Sequence, residues 1–383
     1  MKERTIVILI DALGFTLAER LGFFLQGVPH RARLRTTLGF SQAALSSIFT
    51  GLKPEEHLLW MMYSFSRDRS PFGWLRMLPR SISARRLWLR RLIRFHLRHI
   101  CGVRGYYSLY DVPREVLPYL DIAGKGNLFA PRGAGEAPTI FDALESEETP
   151  SLVWDYRTPE ARAFDELEEA VLDRRAAFYL LYTAGLDSDL HRFGTGDPHI
   201  QSHLAWYRNR IERIVVTAEE AGDTRVIVLG DHGMCDVSAR IDIQGPVEAL
   251  GLEIPREYVP FYDSTMARFR VFSEEAGGSL RRLLSRQPSG HLLDSAEIAE
   301  LGVSFPDGRF GDCIFLADPG TVISPSYMGS GNIAAMHGYH PDAEDMSSVL
   351  LSSSQLPRSE MSLRDVASFI LPGFKPGWRG GGR

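Results

Sequence analysis

Short apolar runs rich in Val, Ile and Leu recur along the chain, separated by stretches of helical periodicity. "TIVILI" (5–10), "SLVW" (151–154), "AFYLLYT" (177–183), "RVIVLG" (225–230), "ARFRVF" (267–272), "CIFLA" (313–317) and "SVLLSS" (348–353) each predict a strand. Most are continuous rather than alternating, as expected of strands covered on both faces. The clearest helix runs over 197–221, with Asp-Pro at its start and Gly at its stop. Strands alternating with helices predict an α/β fold: a mostly parallel central sheet with helices on both faces. In such folds ligands bind beyond the carboxyl ends of the strands. The residues that directly follow these runs are therefore the ones to inspect.

Two stretches break the alternation. Residues 64–136 are rich in Arg, then in Gly and Pro, and residues 237–310 hold polar helices and turns. Both read as inserted caps on a core built from 1–63, 137–236 and 311–383. The tail 375–383, "KPGWRGGGR", carries no packing signal and is expected to be disordered.

Length and composition narrow the class without naming it. The 383 residues allow two or three domains, or one large α/β domain with insertions. A content of 44% hydrophobic and 24% charged residues is ordinary for a soluble globular protein, and no run reaches transmembrane length. The N-terminal apolar run leads straight to Asp11 without a small-residue cleavage site. It therefore reads as a buried strand, and a cytoplasmic location is expected. Three scattered cysteines, Cys101, Cys235 and Cys313, argue against a disulfide framework and fit a reducing compartment. The net charge of −5 hides an asymmetry. From Arg67 to Arg104 there are eleven arginines and one acid, Asp68, so this segment carries about +10 and the remainder about −15.

Chemistry gathers at the strand ends. Asp11 follows the first run, Asp187, Asp189 and His191 follow 177–183, and Asp231 and His232 follow 225–230. A fourth cluster, "MHGYHPD", holds His337, His340 and Asp342. One such Asp is often a cap, and one such His is more often structural than a ligand. Four clusters on one edge of a parallel sheet are harder to explain in that way. Asp and imidazole together suit zinc, and manganese accepts the same set. Six ligands, three per ion, would leave open positions on two divalent ions, the layout for displacement at phosphorus. Ser41, in "LGFSQAALSSIFTG", sits where a helix begins. A serine hydroxyl is a weak nucleophile unless activated, and a bound cation would favour its alkoxide without a histidine base.

These residues resemble the alkaline phosphatase superfamily, and within it the type I phosphodiesterase/nucleotide pyrophosphatase branch. The motif "DHGM" is present at Asp231–Met234, and "DSDLH" supplies Asp187 and His191. "HGY" with a Met nine positions after the His is present as His337, Gly338, Tyr339 and Met346, and "TGLKPEEH" (50–57) matches "TGLxPExH". The spacing from the last motif places the nucleophile at Ser41, where the branch usually has Thr. The resemblance implies an alkaline-phosphatase-like core and hydrolysis of phosphate esters through a phosphoseryl intermediate. It implies one ion on Asp187, His191 and His337, and a second on Asp11, Asp231 and His232 within reach of Ser41. Asp189 is then expected to be solvated or supporting, and His199 and His203 to lie on a helix surface.

Two departures bear on substrate. The first is the Ser in place of Thr, which is chemically minor. The second concerns the branch's Asn donor to phosphate, whose position falls on Met62. Either Tyr63, Ser64 or an arginine of the insertion replaces it or the substrate is held differently, and His340, which stands where the branch has Asp, could line the pocket or cap a turn. The substrate expected is a small phosphate ester or diester, nucleotide or lipid-linked. A phosphomonoesterase is the alternative enzyme, and a peripheral membrane-binding protein with a relic site is the alternative of another class. Sulfatase chemistry is not expected, since neither Ser41 nor any cysteine stands in a Cys/Ser-x-Pro-x-Arg context.

The segment 82–100 predicts a basic amphipathic helix. Arg86, Arg90, Arg94 and Arg98 recur every four residues, opposite Ile82, Trp88, Leu89, Leu92, Ile93, Phe95 and Ile100, while Leu87 and Leu97 break the division. Its apolar face could contact an anionic membrane, but packing on the core is the expectation favoured. No nucleic-acid partner is expected, because one basic helix without a recognised binding fold is little support.

Overall fold

The computed structural model describes residues 4–67, 69–79, 86–329 and 331–377. Seven strands form the main sheet, in the spatial order Glu360–Ser362, His30–Arg35, Ser348–Ser352, Thr224–Leu229, Arg4–Ile10, Phe178–Thr183, Ser151–Trp154. The last four run parallel to one another. Ser348–Ser352 is antiparallel to both of its neighbours, and Glu360–Ser362 is parallel to His30–Arg35. The sheet is thus mostly parallel and flanked by helices, as the sequence predicts.

Side-chain alternation shows why the strands read as continuous apolar runs. In Arg4–Ile10, Ile6, Ile8 and Ile10 face one apolar layer, while Val7 and Leu9 face the other. The first layer is closed by the helices Glu160–Leu172, Gly185–Phe193 and Pro198–Ala221, the second by Ser41–Thr50, Ile140–Ser146 and Leu363–Ile370. Both faces are covered, so both sets of positions are apolar.

The second sheet differs from expectation. The runs 267–272 and 313–317 are strands, but Met266–Val271 and Cys313–Ala317 belong to a separate antiparallel sheet with Tyr258–Tyr262 and Gly290–Leu292. The main sheet therefore resumes at Ser348, not at 311. The physical reason is burial on both sides here as well. Cys313, Phe315 and Ala317 join one cluster and Ile314 and Leu316 another, so this run has the same signature as a central strand. Residues of 63–122 and 241–346 share one of these clusters, in which Tyr63, Phe65, Leu89 and Ile93 pack with Phe261, Phe269 and Phe315.

The basic helix spans Leu87–His99, and Ile82 lies outside the described residues. Its buried stripe is Leu89, Ile93 and Leu97, spaced four apart on one face. Leu97 therefore belongs to the packed face, whereas Trp88, Leu92, Phe95 and Ile100 are exposed. The apolar set read from the sequence is two faces, one packed and one solvent-facing. Of the tail, residues 378–383 lie outside the described residues, and Pro376 approaches Gly51. Among the described residues no helix is long and apolar enough to cross a membrane.

Candidate active site

The parallel strands deliver their carboxylates to one edge. Asp11 directly follows Arg4–Ile10, and its amide donates to Thr183 O (2.9 Å), which fixes the relative height of the two strand ends. Asp231 lies two residues past Thr224–Leu229. Its Oδ1 accepts from the Ala12 and His232 amides at 3.1 and 3.0 Å. Asp187 and His191 lie one turn apart on the helix Gly185–Phe193 that follows Phe178–Thr183. The Gly in "DHGM" is required by close approach: a Cβ on Gly233 would sit 1.8 Å from Asp345 O. The Gly338 backbone takes φ +88°, and a Cβ there would meet Phe40 at 2.8 Å. These two glycines let His232 and His337 stack face to face, with ring centroids 3.7 Å apart.

Two donor groups result. Asp187, His191 and His337 present ligand atoms within 4.8 Å of one another, and so do Asp11, Asp187 and His232. Asp187 belongs to both, so the two groups sit side by side. Asp231 reaches the second through Oδ2, 3.5 Å from His232 Nε2. Backbone carbonyls orient the imidazoles: His191 Nδ1–H donates to Ala335 O (2.8 Å) and His232 Nδ1–H to Gly233 O (3.0 Å). Both Nε2 atoms are thereby turned toward the carboxylates, the usual support of a metal-ligating histidine.

Ser41 opens the helix Ser41–Thr50 and is its first helical residue, with Phe40 as the N-cap. Its Oγ lies 3.2 Å from His232 Nε2 and 3.5 Å from Asp11 Oδ1. Tyr182 projects from the same sheet face and donates its hydroxyl to Asp11 Oδ2.

Electrostatics shows what this cluster favours. Burial, with the charge of Asp11, pushes the Asp231 carboxyl well above its usual range. Asp11 is held below its own range, against burial, by hydrogen bonding and charge from His232 and by the Tyr182 hydroxyl. Burial opposes protonation of His232, yet the charges of Asp231 and Asp11 push it up to about 10. Burial and the neighbouring His232 and His191 push His337 well down. Carboxylates this close resist joint ionisation without added positive charge. Asp187 Oδ1 and Asp231 Oδ2 are buried and take part in no hydrogen bond. Unused carboxylate lone pairs beside oriented imidazoles fit divalent cations of the zinc type.

A cavity of about 390 Å³ opens over this edge. Asp11, Ser41, Asp187, His191 and His337 form its polar floor, and Asp231 and His232 lie buried against them. Tyr106, Tyr110, Phe129, Tyr156 and Tyr182 line its walls. Of the residues proposed from sequence for substrate contact, none lines it. Tyr63 is buried between Phe72 and Phe261, with its hydroxyl on Ser108 O. Ser64 lies in the short strand Tyr63–Phe65, which pairs with Leu120–Ile122. His340 faces Glu297 and Asp342 instead. The reason is local: Met62 does line the cavity, and the next residues enter a strand that turns into the cap core. Sequence reasoning missed Asn127, Tyr106 and Tyr156, all cavity-lining. They lie more than 30 residues from any motif, and no spacing rule points to them.

Comparison with known proteins matches this arrangement. The family described as type I phosphodiesterase/nucleotide pyrophosphatase matches residues 5–340. The fold is similar to that of human ectonucleotide pyrophosphatase/phosphodiesterase 5, with TM-score 0.68 and 13% identity over 96% of this chain and 94% of that one. The murine protein gives the same values, including an inactive variant in complex with AMP. No curated protein sequence matches the chain. The family match spans the strand-end carboxylates, Ser41 and both caps, and with it the chain belongs to the type I phosphodiesterase/nucleotide pyrophosphatase family of the alkaline phosphatase superfamily and is a phosphoric diester hydrolase.

Proposed function

We propose that the protein cleaves nucleotide-type phosphodiester or pyrophosphate bonds by two successive displacements at phosphorus, with Ser41 as the nucleophile. The observation that carries this reading is the position of Ser41 Oγ, at a helix start, within 3.5 Å of both Asp11 and His232 at the cavity floor. Asp187, His191 and His337 would hold one divalent ion, and Asp11, Asp231 and His232 the other. Zinc suits the ligand types, and manganese would be accommodated. When bound, the ions supply positive charge that favours the serine alkoxide and neutralises the oxygens that attack and leave. Ser41 forms the new P–O bond as the bond to the leaving group breaks. Water then cleaves the phosphoseryl ester and regenerates the hydroxyl. The Ser41 and Gln42 amides at the start of Ser41–Thr50 would offer N–H donors and the positive helix end to the phosphoryl oxygens. Asn127, at the cavity wall, supplies the amide donor that Met62 cannot. Tyr106 and Tyr156, in edge contact at 5.4 Å, offer aromatic surface to a base. The AMP complex of the murine relative goes with this choice of substrate.

The test is direct. Ser41→Ala should lower turnover of bis-p-nitrophenyl phosphate by about 10³-fold or more. Acid-quenched wild-type enzyme should carry a phosphate on Ser41 by mass spectrometry. Retention of activity within tenfold by the variant would sink the mechanism.

A peripheral contact with an anionic membrane goes with the exposed side of Leu87–His99. Trp88, Leu92 and Phe95 are exposed there, beside Arg91, Arg94 and Arg98. The unpaired cysteines go with a cytoplasmic setting.

A further inference from the structure

A second cluster of ligand-type side chains lies outside the cavity. Asp189 sits on the helix Gly185–Phe193, two residues from Asp187 and thus about 200° around the helix axis. It faces the helix Pro198–Ala221, where His199 and His203 are one turn apart. Asp189 Oδ2 is 2.9 Å from His199 Nε2 and 2.8 Å from His203 Nδ1. These three donor atoms converge on one point, within 4.8 Å of one another.

We propose that Asp189, His199 and His203 form a third divalent-cation site, distinct from the pair at the cavity floor and selective for zinc-type ions. Two imidazoles and one carboxylate are a ligand set for borderline transition ions, and a poor one for calcium or magnesium. The spacing suits an ion at about 2.0–2.2 Å from each atom after a small outward adjustment. The imidazole geometry is the second observation. His203 Nε2 is 3.1 Å from Glu160 Oε2, and the other Glu160 oxygen accepts from the Thr183 and Tyr207 hydroxyls. The His203 ring stacks on Tyr207, with centroids 4.5 Å apart. Glu160 therefore takes the N–H of Nε2 and leaves Nδ1 to bind, as a carboxylate behind a metal-ligating histidine does. On binding, the ion takes the place of the Nδ1 proton of His203, which passes to solvent, and His199 presents Nε2 as the tautomer that carries its N–H on Nδ1. His199 is half-exposed, so the site opens to water, which fills the remaining coordination positions.

The consequence concerns the helix Gly185–Phe193. One of its faces carries Asp187 and His191 to the cavity floor, and the opposite face carries Asp189. An ion on that opposite face clamps the helix to Pro198–Ala221 and holds the floor ligands at their height.

Equilibrium dialysis of the full chain against zinc tests the site. The wild type should bind one equivalent more than His199→Ala/His203→Ala, and zinc should raise the wild-type Tm more than that of the variant. In an Asp187→Ala/Asp231→Ala background, where each floor set loses a carboxylate, the equivalent held outside the floor should persist and vanish on adding His199→Ala/His203→Ala. That arm stands whether or not the reading of the cavity floor is right. Should the double His variant fail to fold, His199→Ala alone, at a half-exposed position, should weaken binding of that equivalent at least tenfold. Equal stoichiometry and affinity in the wild type and His199→Ala would overturn the proposal.

Discussion

At the residue scale, the motif that located Ser41 is scaffold rather than chemistry. In "TGLKPEEH" Thr50 Oγ1 donates to Ser46 O and accepts from the Leu52 amide. Gly51 closes the helix in a left-handed conformation, and Pro54 opens the next one. Glu56 caps that next helix by accepting from the Lys53 amide (2.7 Å). The motif is legible because it fixes a helix length, and Ser41 is the other end of that helix. His57 ends the motif and is buried. Its Nδ1 accepts from the Leu59 amide (3.0 Å), and its Nε2 faces Ser47 Oγ at 3.2 Å. Burial depresses its pKa from 6.5 to about 3. The ring is therefore neutral in the folded protein and takes up a proton on unfolding below pH 6.5. Its stabilising contribution is full above pH 6.5 and is lost as pH falls toward 3, by about 1.4 kcal/mol per pH unit. His57→Gln keeps a polar partner for Ser47 but does not titrate. Its Tm should fall less than that of the wild type between pH 6.5 and pH 4.5, by differential scanning calorimetry. Parallel curves would remove His57 from the acid sensitivity of the fold.

At the element scale, what could be read depended on how completely an element is buried. The five strands of the main sheet that announce themselves are continuous apolar runs. His30–Arg35, "HRARLR", does not, because only Ala32 and Leu34 face inward. Arg31 and Arg33 cover Phe15 with their guanidinium groups, at 4.7 and 5.0 Å from its ring centre. A strand whose outward face is closed by arginines has no hydropathy signal. The helix Leu87–His99 shows the reverse problem, since its apolar residues serve two faces. Leu89, Ile93 and Leu97 are held by the cap core, each contributing about 1.5–3 kcal/mol of burial. Trp88, Leu92 and Phe95 form a separate exposed strip, flanked by Arg91, Arg94 and Arg98. Arg90 belongs to neither, because it donates to Leu109 O and Tyr110 O and pairs with Asp111. If this strip meets lipid, Trp88→Ser/Phe95→Ser and Arg91→Gln/Arg94→Gln/Arg98→Gln should each reduce co-sedimentation with phosphatidylserine vesicles several-fold. Phosphatidylcholine vesicles should bind little of any form. Wild-type binding by both variants would end the membrane reading.

At the scale of the whole molecule, substrate preference depends on what the caps bring to the cavity. The strand ends supply the floor, and these residues are legible because chemistry restricts them to Asp and His at fixed spacing. The walls come from distant segments, including Tyr106 to Tyr110, Gly124 to Gly133, and Met328. Their common feature is a shape, which no local pattern encodes. One property of those walls separates the two enzyme readings. No lysine or arginine lines the cavity among the described residues. Arg268, whose partner Asp263 does line the cavity, is fully buried, with its Nε bound to Asp263 (2.9 Å) and its Nη1 to Tyr63 O (3.1 Å). A phosphomonoester dianion carries one negative charge more than a diester. In a cavity walled by aromatic rings that extra charge finds no cationic side chain, and its desolvation is uncompensated. A diester presents a single charge to the floor and a second organic group to the tyrosines. The kcat/KM for bis-p-nitrophenyl phosphate should therefore exceed that for p-nitrophenyl phosphate by at least tenfold at equal metal and pH. Placing a cation in the wall by Met62→Arg should narrow that ratio by raising monoester turnover. A wild-type preference for the monoester would show that its charge is met by something other than a wall side chain, and the diester reading of the cavity would fall with it.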